Sequence, residues 1–171
     1  MGHHINALIG TNEALKGFVT RLGSPPPTEL SFGLAIIPLD EQRLDAIAMS
    51  VEPAIEGFTY LTSLMAKEIA AALNGPTLYV ETEYFGGMGG QSAAYFENGH
   101  LTWCGAESSE EAPAGSSLAQ LYKKTANGGR SPINEGLYRL GVIRSERCDE
   151  FDQIGLQRFR SLESLGIEYD D

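Results

Sequence analysis

Apolar positions along the chain alternate between two spacings, and each change of spacing marks a new element. Ile5 to Gly10 (INALIG) is an apolar run that reads as a strand. Thr11 and Asn12, both good N-cap residues, introduce Ala14, Leu15, Phe18, Val19 and Leu22 at helical spacing, with Gly23 to end the segment. Pro25 to Pro27 then impose a stiff connection. Leu30 to Leu39 is apolar enough to predict an interior strand with Pro38 near its end, since proline has no ladder donor. Asp40 caps a predicted helix bearing Leu44, Ile47, Ala48 and Val51. Pro53 and Gly57 interrupt the chain, and Thr59 is the expected cap of a helix with the stripe Leu61, Leu64, Met65, Ile69, Ala72 and Leu73. Asn74-Gly75-Pro76 is its expected stop, with Gly75 in the left-handed cap.

Period-two spacing returns in Thr77 to Phe85 (TLYVETEYF) and in Gln91 to Glu97, with five residues of Gly86-Gly87-Met88-Gly89-Gly90 between them. Asn98-Gly99 is a preferred type I′ pair, so His100 to Cys104 should return antiparallel. Residues 105 to 117 read as a polar surface loop, Leu118 to Lys124 as a short helix and Asn127-Gly128-Gly129 as a turn. Ser131-Pro132 starts a helix with Ile133, Leu137 and Leu140 on its core face. Asp149 to Ile154 predicts one more turn before the acidic tail from Glu168. Helices interleaved with a hairpin, and no repeat, predict one α/β (α+β) domain over residues 1–171. Its expected architecture is a mixed sheet with an antiparallel hairpin in the C-terminal half and helices packed on the sheet, in two or three layers.

Composition adds bounds. At 171 residues and 42% hydrophobic, the chain is too apolar to be disordered and long enough to bury a core without disulfides or metals. Cys104 and Cys148 are the only cysteines and fall in no C-x-x-C pair, which suits a reducing compartment. No signal-peptide pattern opens the chain, and Asn6 breaks the myristoylation pattern begun by Gly2. The apolar stretch Leu61 to Leu73 carries Lys67 and Glu68 and is too short for a bilayer. A cytoplasmic protein with no membrane association is expected. Twelve basic against twenty-three acidic residues give a formal charge of −11, which disfavours nucleic acid and suits a basic protein partner such as a toxin. Charge reverses locally over residues 123–147, where six basic residues meet only Glu135 and Glu146. With no aromatic series beside them, they read as a solvated face.

Several patterns invite a chemical reading. Gly87-Met88-Gly89 begins a G-x-G-x-x-G, but Ser92 takes the last glycine's place and a strand follows where a dinucleotide site needs a helix. A hairpin connection needing positive φ, or a place where a ligand or partner backbone comes close, explains the glycines better. Gly90-Gln91-Ser92-Ala93-Ala94 fails as a nucleophile elbow for the same reason, with His100 too near to complete a triad. Glu81 and Glu83 share one face of a strand, with Cα atoms about 6.5–7 Å apart, and Gln91 lies just past the glycine turn. The pair reads first as a solvent-facing stripe; with Gln91 it offers a small polar site. His3 and His4 alternate faces and cannot serve one metal together, so no metal and no cofactor is expected; Trp103 reads as a hairpin core residue.

Tyr79 to Ala94 (YVETEYFGGMGGQSAA), Ile133 to Val142 (INEGLYRLGV) and Asp149 to Ser161 (DEFDQIGLQRFRS) together make up about a quarter of the chain. They resemble segments of small uncharacterised bacterial proteins, some of them similar to immunity proteins paired with polymorphic toxins. The resemblance implies a bacterial protein that acts by binding and transfers no catalytic residue. Three functions follow. One is an interaction protein, concretely a toxin-neutralising immunity protein that occludes its partner with an acidic surface. The second is a small hydrolase or transferase using Glu81 and Glu83, and the third an accessory domain that binds a small ligand. The first is preferred, with Glu81, Glu83, Gly87, Gly89 and Gln91 as candidate partner or ligand contacts and no residue assigned to catalysis.

Overall fold

The computed structural model describes residues 2–22, 26–49, 51–85, 88–109 and 130–169. Six strands form one sheet: β1 (His3–Gly10), β2 (Thr28–Glu29), β3 (Ala35–Pro38), β4 (Thr77–Phe85), β5 (Met88–Glu97) and β6 (His100–Ser108). Their spatial order is β2-β3-β1-β4-β5-β6, with β1 paired to β4 along its whole length. The class is α+β, as expected, but every strand pairing is antiparallel, so the sheet is not mixed. The cause is visible in β1. A nearly continuous apolar strand suggests a parallel interior, because only two-sided burial selects it. Here helices cover both faces of an antiparallel sheet and produce the same pattern.

On one face pack α1 (Asn12–Leu22), α2 (Glu41–Ile47) and α3 (Ser63–Ala72). Leu15, Phe18, Leu44, Ile47, Met65 and Ile69 meet Leu8, Tyr79, Ala94 and Phe96 there. On the other, α4 (Pro132–Arg139) and α5 (Glu150–Gln153) bury Ile133, Leu137 and Ile154 against Ile5, Ile9, Leu78 and Val80. The arrangement is three-layered. Alternation decides which side each strand residue serves: Ile5, Ala7 and Ile9 face α4, and Asn6 and Leu8 face the first three helices.

Local signals place most boundaries. Thr11 Oγ1 accepts from the Ala14 N–H at 3.1 Å and starts α1. Asp40 accepts from Arg43 N–H at 2.8 Å, Ser131 from Asn134 at 3.4 Å and Asp149 from Asp152 at 2.9 Å, capping α2, α4 and α5. Asn98 and Gly99 both take positive φ, 53° and 77°, in the expected hairpin turn.

Four expectations are corrected. The predicted strand from Leu30 begins only at Ala35, because Phe32 and Gly33, with φ of 62° and 68°, turn the chain between β2 and β3. The cap of α3 is Thr62, whose Oγ1 accepts from Met65 N–H at 3.2 Å, and not Thr59. That helix stops at Leu73 in extended conformation, and Gly75 does not take the left-handed cap. A Cβ on Gly75 would lie 3.2 Å from that of Ala14, so its use is close approach to α1. Residues 105–108, expected in a loop, extend β6. The predicted helix at Leu118–Lys124 and the turn at 127–129 lie outside the described residues. No described helix is long and apolar enough to cross a membrane.

Candidate functional site

The β1–β4 register sets His4 beside Glu83 and Asn6 beside Glu81, and the β4–β5 register sets Glu81 beside Ser92 and Glu83 beside Gly90. These residues share the face of the first three helices. That layer, however, stops short of the strand ends where Glu83 lies. The gap is a cavity of about 480 Å³, bordered by these strands and by the loop that carries Gly57, Thr59 and Tyr60.

Glu81 is the anchor of that loop. Only 5% exposed, it accepts through Oε1 from Tyr60 N–H and Leu61 N–H, both at 3.0 Å, and from the Tyr79 hydroxyl at 2.8 Å. Oε2 accepts from Thr59 N–H at 2.6 Å. Three successive backbone donors aimed at one carboxylate form a nest for its charge. Burial raises the Tyr79 phenol well above its usual range, and the Glu81 charge adds to this, so it stays a donor. Ser92 Oγ donates to the Gly57 carbonyl and holds the same loop from β5.

The other expected residues separate. Glu83 is exposed at the mouth, and its side chain makes no hydrogen bond or ion pair among the described residues. Gly89 lines the cavity at φ 140°, and a Cβ there would collide with the Glu83 carbonyl, so the glycine is needed for strand closure. Ser109 fastens it further, donating from N–H to the Gly89 carbonyl at 2.8 Å and accepting from Gly89 N–H at 2.7 Å. Gln91 borders the cavity, but by register it pairs with Thr82 on the α4 face. Its amide donates to the Tyr84 hydroxyl at 3.0 Å and accepts from Ile133 N–H at 3.1 Å, which ties the start of α4 to β5. Gly87 lies outside the described residues.

The structure adds residues that sequence reasoning missed. Asn6 is 4% exposed, lines the cavity and has no side-chain hydrogen bond among the described residues. Its signal was a single polar residue inside an apolar run. Tyr60 stands on the loop, its phenol raised by burial and then by Glu41, Glu83 and Glu81. Phe85 and Met88, directly paired across the hairpin, are 83% and 56% exposed at the rim. Beyond them, Glu107 sits across from Gln91 with both carboxylate oxygens buried and unpaired among the described residues, and burial raises its pKa.

His3 and His4 do face opposite sides. His4 borders the cavity, and His3 contacts the Thr82 hydroxyl through Nδ1 at 2.7 Å and the Phe151 ring. Among the described residues, no group of three or more His, Cys, Asp or Glu is arranged to hold a metal. Cys104 and Cys148 are free thiols. Trp103 is half-buried against the second core with the Arg139 guanidinium over its ring. Of the basic stretch, Arg130 pairs with buried Glu150 at 2.7 Å and Arg139 with Glu135 at 3.2 Å, while Arg144 and Arg147 are exposed.

Chemically, Glu81 is an anchored charge whose oxygens are occupied by four donors. Among the described residues, Glu83 and Asn6 retain free side-chain acceptors and no lysine or arginine lines the cavity. Compared with models of protein families, with curated proteins and with solved structures, the chain finds no match.

Proposed function

We propose that this protein acts by binding a basic protein partner, and concretely as a toxin-neutralising immunity protein that covers a cationic site. The observation that carries this reading is the rim of the cavity. Phe85 and Met88 are large apolar side chains left in water beside the exposed Glu83 carboxylate, which has no partner among the described residues. Exposed aromatic and methionine side chains next to a concave polar surface are what partner anchors look like, and a charge of −11 would steer a cationic partner toward them. The carboxylate-pair enzyme is less well supported, because a general acid or base needs a free oxygen and Glu81 has its oxygens engaged.

The test is binding to the purified product of the gene adjacent to this one, measured by calorimetry over a salt series. Tight association that weakens as salt rises is expected. Glu83→Lys and Phe85→Ser should each weaken it by about tenfold or more, without change in melting temperature. No association at low salt would sink the proposal.

A further inference from the structure

We infer that the cavity is a recognition pocket for a guanidinium group, supplied by an arginine side chain that the partner inserts between Asn6, Glu83 and Tyr60. This rests on the partner-binding reading and names what the pocket selects. Asn6 lies on β1 at the inner wall of the cavity. The residue is 4% exposed and lines the cavity, and its side-chain amide has no hydrogen bond among the described residues, so its donor and acceptor are left to whatever occupies the cavity. It faces the cavity because its cross-strand neighbour is Glu81, whose carboxylate lies on that side. Its carbonyl oxygen is an acceptor waiting for a donor.

The sign of the ligand follows from the lining. Glu81 gives a fixed negative charge at the inner end and Glu83 a second one at the mouth, with no lysine or arginine among the described residues that line the cavity. A cation is therefore selected. A compact metal ion is not, since ligating side chains do not converge in threes among the described residues. The acceptors sit on separate strands, Asn6 on β1 and Glu83 on β4, two residues apart in register. One planar group with five donors in a fork can reach both, whereas an ammonium is a point charge that satisfies one. The Tyr60 and Phe85 rings at the border offer faces on which a guanidinium stacks. The volume, about 480 Å³, admits the side chain with its last methylenes and lies in the range of small-molecule sites.

The experiment is a titration of the isotope-labelled protein with methylguanidinium chloride, followed by amide and side-chain NMR shifts. Methylammonium chloride and sodium chloride at equal ionic strength are the other arms. A saturable response of the Asn6 side-chain amide and of Tyr60 and Gly90, with a dissociation constant in the millimolar range, is expected for so small a probe. Methylammonium should bind about fivefold or more weakly. Asn6→Leu and Glu83→Gln should each lower the affinity by about fivefold or more. Glu83 is exposed, so its variant remains informative even where Asn6→Leu fails to fold. Equal binding of both cations, shifts that never saturate, or shifts untouched by Glu83→Gln would overturn the inference. If the partner binds but methylguanidinium neither binds nor competes, the pocket assignment falls and the partner reading stands. If the probe saturates the cavity and the partner does not bind, the partner reading is what fails.

Discussion

Glu81 shows how one side chain can be read in two ways until its surroundings are known. By spacing alone it belongs with Glu83 on a solvent-facing stripe. In the fold the two carboxylates part: one is buried under four donors and the other stands in water. Glu81→Gln would set an amide NH₂ against a backbone N–H, so it should cost about 3 kcal/mol of unfolding free energy, read from urea melts. Tyr79→Phe removes one donor from a charge that keeps three others, and should cost only about 1 kcal/mol. Glu107 gives the opposite result. Its folded pKa lies above the ordinary value of 4.5, so the unfolded chain releases its proton first as pH rises. Stability is then lost through the window above 4.5, as the buried group is forced to ionise. Glu107→Gln should raise stability at neutral pH, read from urea melts, and leave it unchanged well below that window.

At the scale of elements, helix starts were legible wherever a short polar side chain precedes an apolar stripe. Thr11, Asp40, Ser131 and Asp149 all act at the positions where such a residue is expected. Thr59 was the exception because two threonines, at 59 and 62, both precede the stripe of α3, and nearest-neighbour chemistry does not distinguish them. The choice is made by Glu81. It takes the backbone N–H groups of residues 59 to 61, so the chain there curls around a carboxylate and the helix starts one residue after Thr62. Thr62→Ala should therefore cost about 1 kcal/mol in thermal or urea denaturation. Thr59→Ala should be nearly neutral, since the bond to Glu81 uses its backbone. Gln91 is the reverse case: its polarity near the glycines suggests a site residue, yet its amide braces β5 against α4. Parity along a strand assigns it to the far face once the register is known.

For the whole molecule, coverage of both sheet faces explains what the strand pattern could not. The second layer brings its own pH dependence. His3 lies under Phe151, with Nε2 buried and unpaired among the described residues. Burial lowers its pKa from 6.5, and the positive charges of Arg160 and His4 act the same way, against backbone contacts at Leu156 and Phe159 that raise it. The unfolded chain thus takes up the proton first as pH falls. Stability present above about 6.5 should decline below it, and His3→Gln should flatten that part of a melting-temperature profile.

The sequence by itself determined the hairpin at Asn98-Gly99, most of the helix starts, the α+β class and the acidic balance. Each of these depends on neighbours a few residues apart or on a simple sum of charges. Only the tertiary structure decided the antiparallel direction of every described strand, the burial of Glu81 and the lack of side-chain partners for Glu83 and Asn6 among the described residues. Those depend on which residues from distant stretches are brought to one face, and β1 must lie against β4, more than seventy residues later, before Asn6 and Glu81 can border one cavity.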